Sequence, residues 1–319
     1  VPIPDILREL ESSSHFLVTV HVNPDGDAIG ALLGMTSFIE ALGKRVVPVI
    51  PDPVPPRYTF LPGSDKVRTI AQAEREAPYD AIVILDAGDY DRIGDVAKLR
   101  QAGMRVVNID HHISNVQYGD ASWIDTGASA TCEMLVDLYR EAKVPITPEI
   151  ANQLYTGIMT DTGRFRFSNT TAKVFATCAN LVSRGADPVL IAESIYYRTE
   201  AQTMLSMGRV LTKIQFFEKE RIAFSYLDPE EQGADTEGFI DKLMSIDSVE
   251  IAILLRPIGE DLWKASFRTN GDVDLSALAT AFNGGGHAKA AGGKVAGPID
   301  QAKQQVVEAC RTALLKNQG

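Results

Sequence analysis

Three short apolar runs in the first third of the chain end in an acid or an imidazole with no spacer between. Phe16-Leu17-Val18-Thr19-Val20 runs into His21, and Ala81-Ile82-Val83-Ile84-Leu85 runs into Asp86. Arg105-Val106-Val107-Asn108-Ile109 runs into Asp110-His111-His112. Near-continuous apolar runs rich in β-branched residues read as strands buried on both faces, which is the signature of a parallel sheet covered by helices. Ligands of such sheets gather outside the carboxyl ends of the strands. One pattern therefore predicts an α/β fold and marks one edge of it. A carboxylate beside two imidazoles is costly to bury there unless something pairs with it, and a divalent cation is a fitting partner.

The segments around these runs repeat the theme. After His21, Pro24 and Gly26 make a turn carrying Asp25 and Asp27, and a helix follows from Ala28 to Leu42, stopping at Gly43. Two carboxylates at i and i+2 repel each other unless a cation lies between them. A helix N-terminus would accommodate one of them, but that leaves His21 unexplained. Val46 to Ile50 is a further strand, followed by a stiff proline-rich loop, and Ser122 to Asp125 is a short one. Helices are expected from about Ala128 to Glu141 and from Thr147 to Asp161. Asp161 then sits at a helix C-terminus, which disfavours negative charge. A cation beside it would remove the conflict, and Arg164 or Arg166 is an alternative partner.

Length and charge bound the function. The 319 residues suffice for two domains. The formal net charge is −11, and no Lys/Arg run is visible, which argues against a grip on long nucleic acid, since phosphate neutralisation supplies most of that affinity. A nucleotide substrate would be short, with its phosphate held by metals. No apolar run approaches the roughly 18 residues of a membrane helix, and the opening Val1-Pro2-Ile3-Pro4 is unlike a signal peptide. Cys132, Cys178 and Cys310 lack metal-type spacing and read as reduced thiols of a cytoplasmic protein.

From Lys213 the pattern changes to a hairpin, a helix around Phe239 to Met244, strands over Val249 to Arg256 and Leu262 to Arg268, and a helix from Leu275 to Phe282. The expected organisation is a catalytic domain over residues 1–190, a helical connector that continues the preceding helix over 191–212, and a smaller α+β domain over 213–319. The second domain contains Asn283-Gly284-Gly285-Gly286-His287. Consecutive glycines suit a backbone nest that approaches an anion. Arg268 and Asn270, at the end of the preceding strand, could serve the same group, the arginine as a planar fork.

The motif set His21-x-Asn23-Pro24-Asp25-x-Asp27, Asp86, Asp110-His111-His112 and Thr160-Asp161-Thr162-Gly163 resembles the DHH phosphoesterase superfamily. The Gly284-Gly285-Gly286-His287 turn is similar to that of the DHH-associated domain. The compact two-domain form is most similar to the branch of nanoRNA exonucleases and pAp phosphatases. The resemblance implies a parallel-sheet DHH domain with flanking helices, followed by a smaller α+β domain across a cleft. It implies two divalent ions, usually manganese, with magnesium or cobalt as substitutes. One ion would be held by His21, Asp25 and Asp86, and the other by Asp27, Asp86, His111 and Asp161, with Asp86 bridging. Asp110 would orient His111, and His112 would contact the scissile phosphate. Arg268 and His287, with Gly285, Gly286 and Asn270 near them, would hold the substrate's other phosphate.

The implied activity is hydrolysis of very short oligoribonucleotides and of 3′-phosphoadenosine 5′-phosphate (pAp), without long nucleic acid or membrane as partner and with a homodimer left open. A phosphodiesterase for cyclic or linear dinucleotides would use the same site. A RecJ-like single-strand exonuclease fits the acidity less well. A family II pyrophosphatase would have a second domain richer in Arg and Lys. A nucleotide sensor with a retired active site would have no reason to keep these carboxylates crowded together.

Overall fold

The computed structural model of the chain describes residues 1–234, 236, 238–286 and 288–316, with the side chain of Lys316 excepted. His287 lies outside the described residues. The chain divides into two compact units, Val1–Arg198 and Thr199–Gly319.

The first unit runs α1 (Ile3–Ser12), β1 (His15–Thr19), α2 (Gly26–Ala41), β2 (Arg45–Pro48), α3 (Ile70–Glu76), β3 (Ala81–Leu85), β4 (Arg105–Asp110), β5 (Ala121–Ile124), α4 (Thr131–Glu141), α5 (Pro148–Asp161), α6 (Ala172–Ser183) and α7 (Pro188–Tyr196). Its five strands are all parallel, in the order β2-β1-β3-β4-β5. Alternate residues of the buried strands serve two cores. Phe16, Val18, Val83, Leu85, Val107 and Ile109 face α2, α4 and α5. Leu17, Ile82, Ile84 and Val106 face the side of α3 and the helical turns between Tyr90 and Leu99. Two-sided burial is why these strands carry no polar alternation. Helix α2 is buried from Gly26 to Thr36, as expected of a helix that is apolar all round.

The second unit runs α8 (Ala201–Thr212), β6 (Gln215–Phe217), β7 (Ile222–Tyr226), α9 (Phe239–Met244), β8 (Ile251–Gly259), β9 (Leu262–Thr269), α10 (Leu275–Thr280), β10 (Gly285–Gly286), β11 (Ala290–Ala296) and α11 (Ile299–Lys316). Its sheet is mixed, ordered β10-β11-β9-β8-β7-β6, with β7 and β8 parallel and the other neighbours antiparallel. The continuous helical connector expected from the sequence is interrupted: α7 ends at Tyr196, and α8 begins afresh at Ala201 behind an extended Glu200. No helix among the described residues is long and apolar enough to cross a membrane.

Candidate metal centre

Strand order decides where the polar strand ends meet. β1 and β3 are neighbours, while the chain leaves β1 for β2 on its other side. This reversal opens the crevice at which parallel sheets bind ligands. His21 lies two residues past β1, Asp86 directly follows β3, and Asp110 is the last residue of β4. Nε2 of His21 lies 3.5 Å from Oδ2 of Asp86. On the other carboxylate oxygen, Oδ1, His111 Nε2 and His112 Nδ1 each lie at 3.5 Å. Asp86 is 2% exposed and has φ +54°, a left-handed conformation that Asp tolerates better than most residues.

Both carboxylates of the first turn have structural duties as well. Asp25 caps α2, its Oδ1 accepting from the backbone N–H of Asp27 at 3.0 Å and of Ala28 at 3.1 Å. The N-terminus of α4 points at Asp27, which accepts from Thr131 N at 2.6 Å and Cys132 N at 2.9 Å. Thr131 Oγ1 also donates to Asp86 at 3.2 Å. Helix α5 approaches through Gly157, where a Cβ would stand 2.6 Å from Asp27 Oδ1 and 2.3 Å from Cys132 Sγ. From the end of α5, Asp161 Oδ2 lies 3.4 Å from His111 Nε2. Neither arginine offered as its partner takes that place. Arg166 donates to the Gly163 carbonyl, and Arg164 lies over the Tyr196 ring.

These residues fit a divalent pair. Three sets of donor atoms, each within 4.8 Å of one another, are His21-Asp25-Asp86, Asp27-His111-Asp161 and Asp86-His111-His112, so Asp86 stands between two groups. Nδ1 of His21 faces the Val22 carbonyl at 2.8 Å and Nδ1 of His111 faces the Ala128 carbonyl at 3.3 Å. A carbonyl on one ring nitrogen sets the tautomer and leaves Nε2 as the ligand atom, the arrangement found in metal-binding histidines.

The electrostatics point the same way. Burial would lower the His21 pKa, but the hydrogen bond to Asp86 and the charge of Asp25 outweigh it and raise it to about 9. His111, likewise opposed by burial, is raised to about 11 by Asp86, Asp27 and Asp161. Burial and the Asp86 charge push the Asp27 carboxyl up to about 7, and burial with Asp27 pushes Asp161 well up. Asp86 itself is held well below the carboxylate range, since hydrogen bonds from His111 and His21 overcome its burial. Protons are thus drawn in where cationic charge is wanted.

Asp110 is placed differently from the sequence expectation. Its side chain holds the His112 ring, Nδ1 to Oδ1 at 2.7 Å, and reaches His111 only through that residue's backbone N–H at 2.9 Å. Asn115 Nδ2 donates to Asp110 Oδ2 at 2.6 Å and to Asn108 Oδ1 at 2.9 Å. Asn108, Asn115, Thr131 and Gly157 had no signal in the sequence beyond their closeness to a motif, because their roles depend on contacts between distant segments.

The remaining candidates lie on the second unit. Arg268 is half-buried on β9 and pairs in register with Ala290. Asn270 is exposed just past β9. The glycines have a packing reason of their own. Gly285 and Gly286 pair with Gly292 and Ala291 as β10, and a Cβ on Gly284 would meet the Gly292 carbonyl at 1.9 Å. Gly286 has φ +143°. Close strand approach therefore explains Gly284 and Gly286, while a Cβ on Gly285 would meet nothing within 4 Å.

Residues 15–158 match the DHH family N-terminal domain, and residues 219–315 match the DHHA1 domain. The chain is 34% identical over 318 residues to the bifunctional oligoribonuclease and PAP phosphatase NrnA of Thermus thermophilus, covering 98% of this chain and 94% of that protein. It is 27% identical to the Bacillus subtilis protein of the same name, covering 91% and 92%. Among solved structures, an exopolyphosphatase-related protein from Bacteroides fragilis superposes with a TM-score of 0.89 at 29% identity, covering 98% of this chain and 95% of that one.

Proposed function

Because the chain belongs to the DHH family, carrying its N-terminal domain followed by a DHHA1 domain, we propose that this phosphoesterase is manganese-dependent. Its substrates are very short oligoribonucleotides, hydrolysed to mononucleotides, and pAp, hydrolysed to AMP and phosphate. The observation that carries the metal chemistry is Asp86, with one oxygen toward His21 and the other toward His111 and His112. The substrate class rests on the relatives named as oligoribonuclease and PAP phosphatase. The three cysteines are free and buried, in keeping with a reducing cytoplasm.

In this reading His21, Asp25 and Asp86 hold one divalent ion, and Asp27, Asp86, His111 and Asp161 hold the second. Mixed imidazole and carboxylate donors suit manganese, and magnesium or cobalt can replace it. Bound ions there supply charge neutralisation at a phosphoryl oxygen and acidification of a water. The protein's own share is positional. Asp110 takes the Nδ1 proton of His112 into a hydrogen bond, which assigns Nε2 of that ring to the scissile phosphate. Arg268, with Asn270, Gly285, Gly286 and His287, binds a further phosphate of the substrate.

The deciding experiment supplies the purified protein with manganese and follows a diribonucleotide, pAp, a cyclic dinucleotide and pyrophosphate in parallel. Turnover of the first two is expected. Exclusive turnover of the cyclic dinucleotide or of pyrophosphate would replace this reading.

A further inference from the structure

The sheet of the second unit is covered unequally on its two faces. Trp263, Ala265 and Phe267 of β9 and Ala291 and Val295 of β11 are buried in one core. On the opposite face, a smaller core seats Phe239, Ile240 and Leu243 of α9 with Ala223, Ala252 and Leu254 of β7 and β8. On that same face beyond β8, the side chains stay half-buried or exposed: Lys264, Ser266 and Arg268 on β9, and Ala290, Gly292 and Lys294 on β11.

Register decides which charges stand together. Lys264 lies opposite Arg256 of β8 on one side and Lys294 of β11 on the other. Like charges directly opposite each other destabilise a sheet, and three cations in one rung do so twice. Burial, with the charges of Arg256 and Arg268, pushes the Lys264 ammonium below the ordinary lysine range. Four residues along β9, Arg268 donates Nη1 to the Phe267 carbonyl at 3.0 Å, and the Asp241 carboxylate acts on it at range. Between the two cationic points, Ser266 pairs with Gly292, so the floor is flat and small. Four residues of strand span about 13 Å. A single phosphate cannot neutralise both points.

We propose that this open face binds the backbone of a single-stranded oligonucleotide, with Arg268 at one phosphate and Lys264, flanked by Arg256 and Lys294, at another further along the strand. This track presupposes the short-RNA reading above and adds to it a structural basis for preferring an oligonucleotide over pAp, whose two phosphates sit on one nucleoside.

The test compares the chain with its Lys264→Ala/Lys294→Ala variant and a charge-keeping Lys264→Arg/Lys294→Arg control. Binding of a labelled tetraribonucleotide is measured in EDTA across a salt series. The slope of log K against log salt should become shallower by about 1.4 in the alanine variant, 0.7 for each lost phosphate contact, and stay unchanged in the arginine control. With manganese, the ratio of kcat/KM for the tetranucleotide to that for pAp should fall about tenfold, through KM. An unchanged slope and ratio, or equal losses on both substrates, overturns the track. If the wild type turns over neither substrate, the short-RNA reading fails, and the binding series in EDTA still decides whether the face takes an oligonucleotide.

Discussion

The Nδ1 of His112 lies 2.7 Å from Oδ1 of Asp110, a carboxylate with no exposed surface. That oxygen also accepts from the His111 N–H, and Asn115 holds the other one. Three donors converge on one carboxylate, so it acts as an acceptor only. Asp110→Asn keeps the volume but turns an amide NH2 toward a donor. Supporting partners of this kind are worth about 10–100-fold in activity. We expect a fall of that size in kcat with KM and bound metal close to wild type, and an altered pH profile of kcat. Loss of metal from this variant would show that Asp110 serves the donor set directly.

Asp86 should behave differently. Its two oxygens face separate groups of donors, and the amide of Asp86→Asn can serve only one of them as an acceptor. Activity is expected to drop by about 10²-fold or more, with manganese content falling together with it in elemental analysis. Near-normal turnover with full metal would falsify the bridging role.

Gly157 is a steric prediction. The Cβ of Gly157→Ala would enter the space of Cys132 Sγ and Asp27 Oδ1. Overpacking of this kind costs about 1–3 kcal/mol, and here the side chain displaced is a candidate ligand. Thermal unfolding should report the lost stability, and manganese titration should report weaker binding than in wild type. A Gly208→Ala control, at a position where a Cβ meets nothing within 4 Å, should leave both unchanged.

Metal affinity should rise steeply with pH. In the metal-free protein His21 is raised to about 9 and His111 to about 11, so both imidazoles carry protons at neutral pH, and Asp27, raised to about 7, is partly protonated. A metal must displace these protons. The sign follows: lowering the pH opposes binding, and log K should gain about two units per pH unit near pH 7.5. Calorimetric manganese titrations in two buffers of different ionisation enthalpy measure the released protons. A pH-independent affinity would exclude His21 and His111 as ligands.

Much of the first unit was legible in the chain because its strands are buried on both faces. Ala81 to Leu85 could be read as a strand, and Asp86 as its polar end, without any knowledge of partners. The same local logic placed α5 and put Asp161 at its C-terminus. What the chain could not show is which strand lies beside which. The order β2-β1-β3 brings His21 against Asp86, and only packing decides that order. Residues recruited from afar, such as Thr131 and Gly157, were invisible for the same reason. The second unit makes the point most sharply. Arg256, Lys264, Arg268 and Lys294 are scattered along the sequence and form no basic run, so an acidic chain appeared to lack a cationic surface. Antiparallel register sets three of them in one rung and the fourth on the same face, because hydrogen bonding between strands aligns residues that the sequence holds far apart.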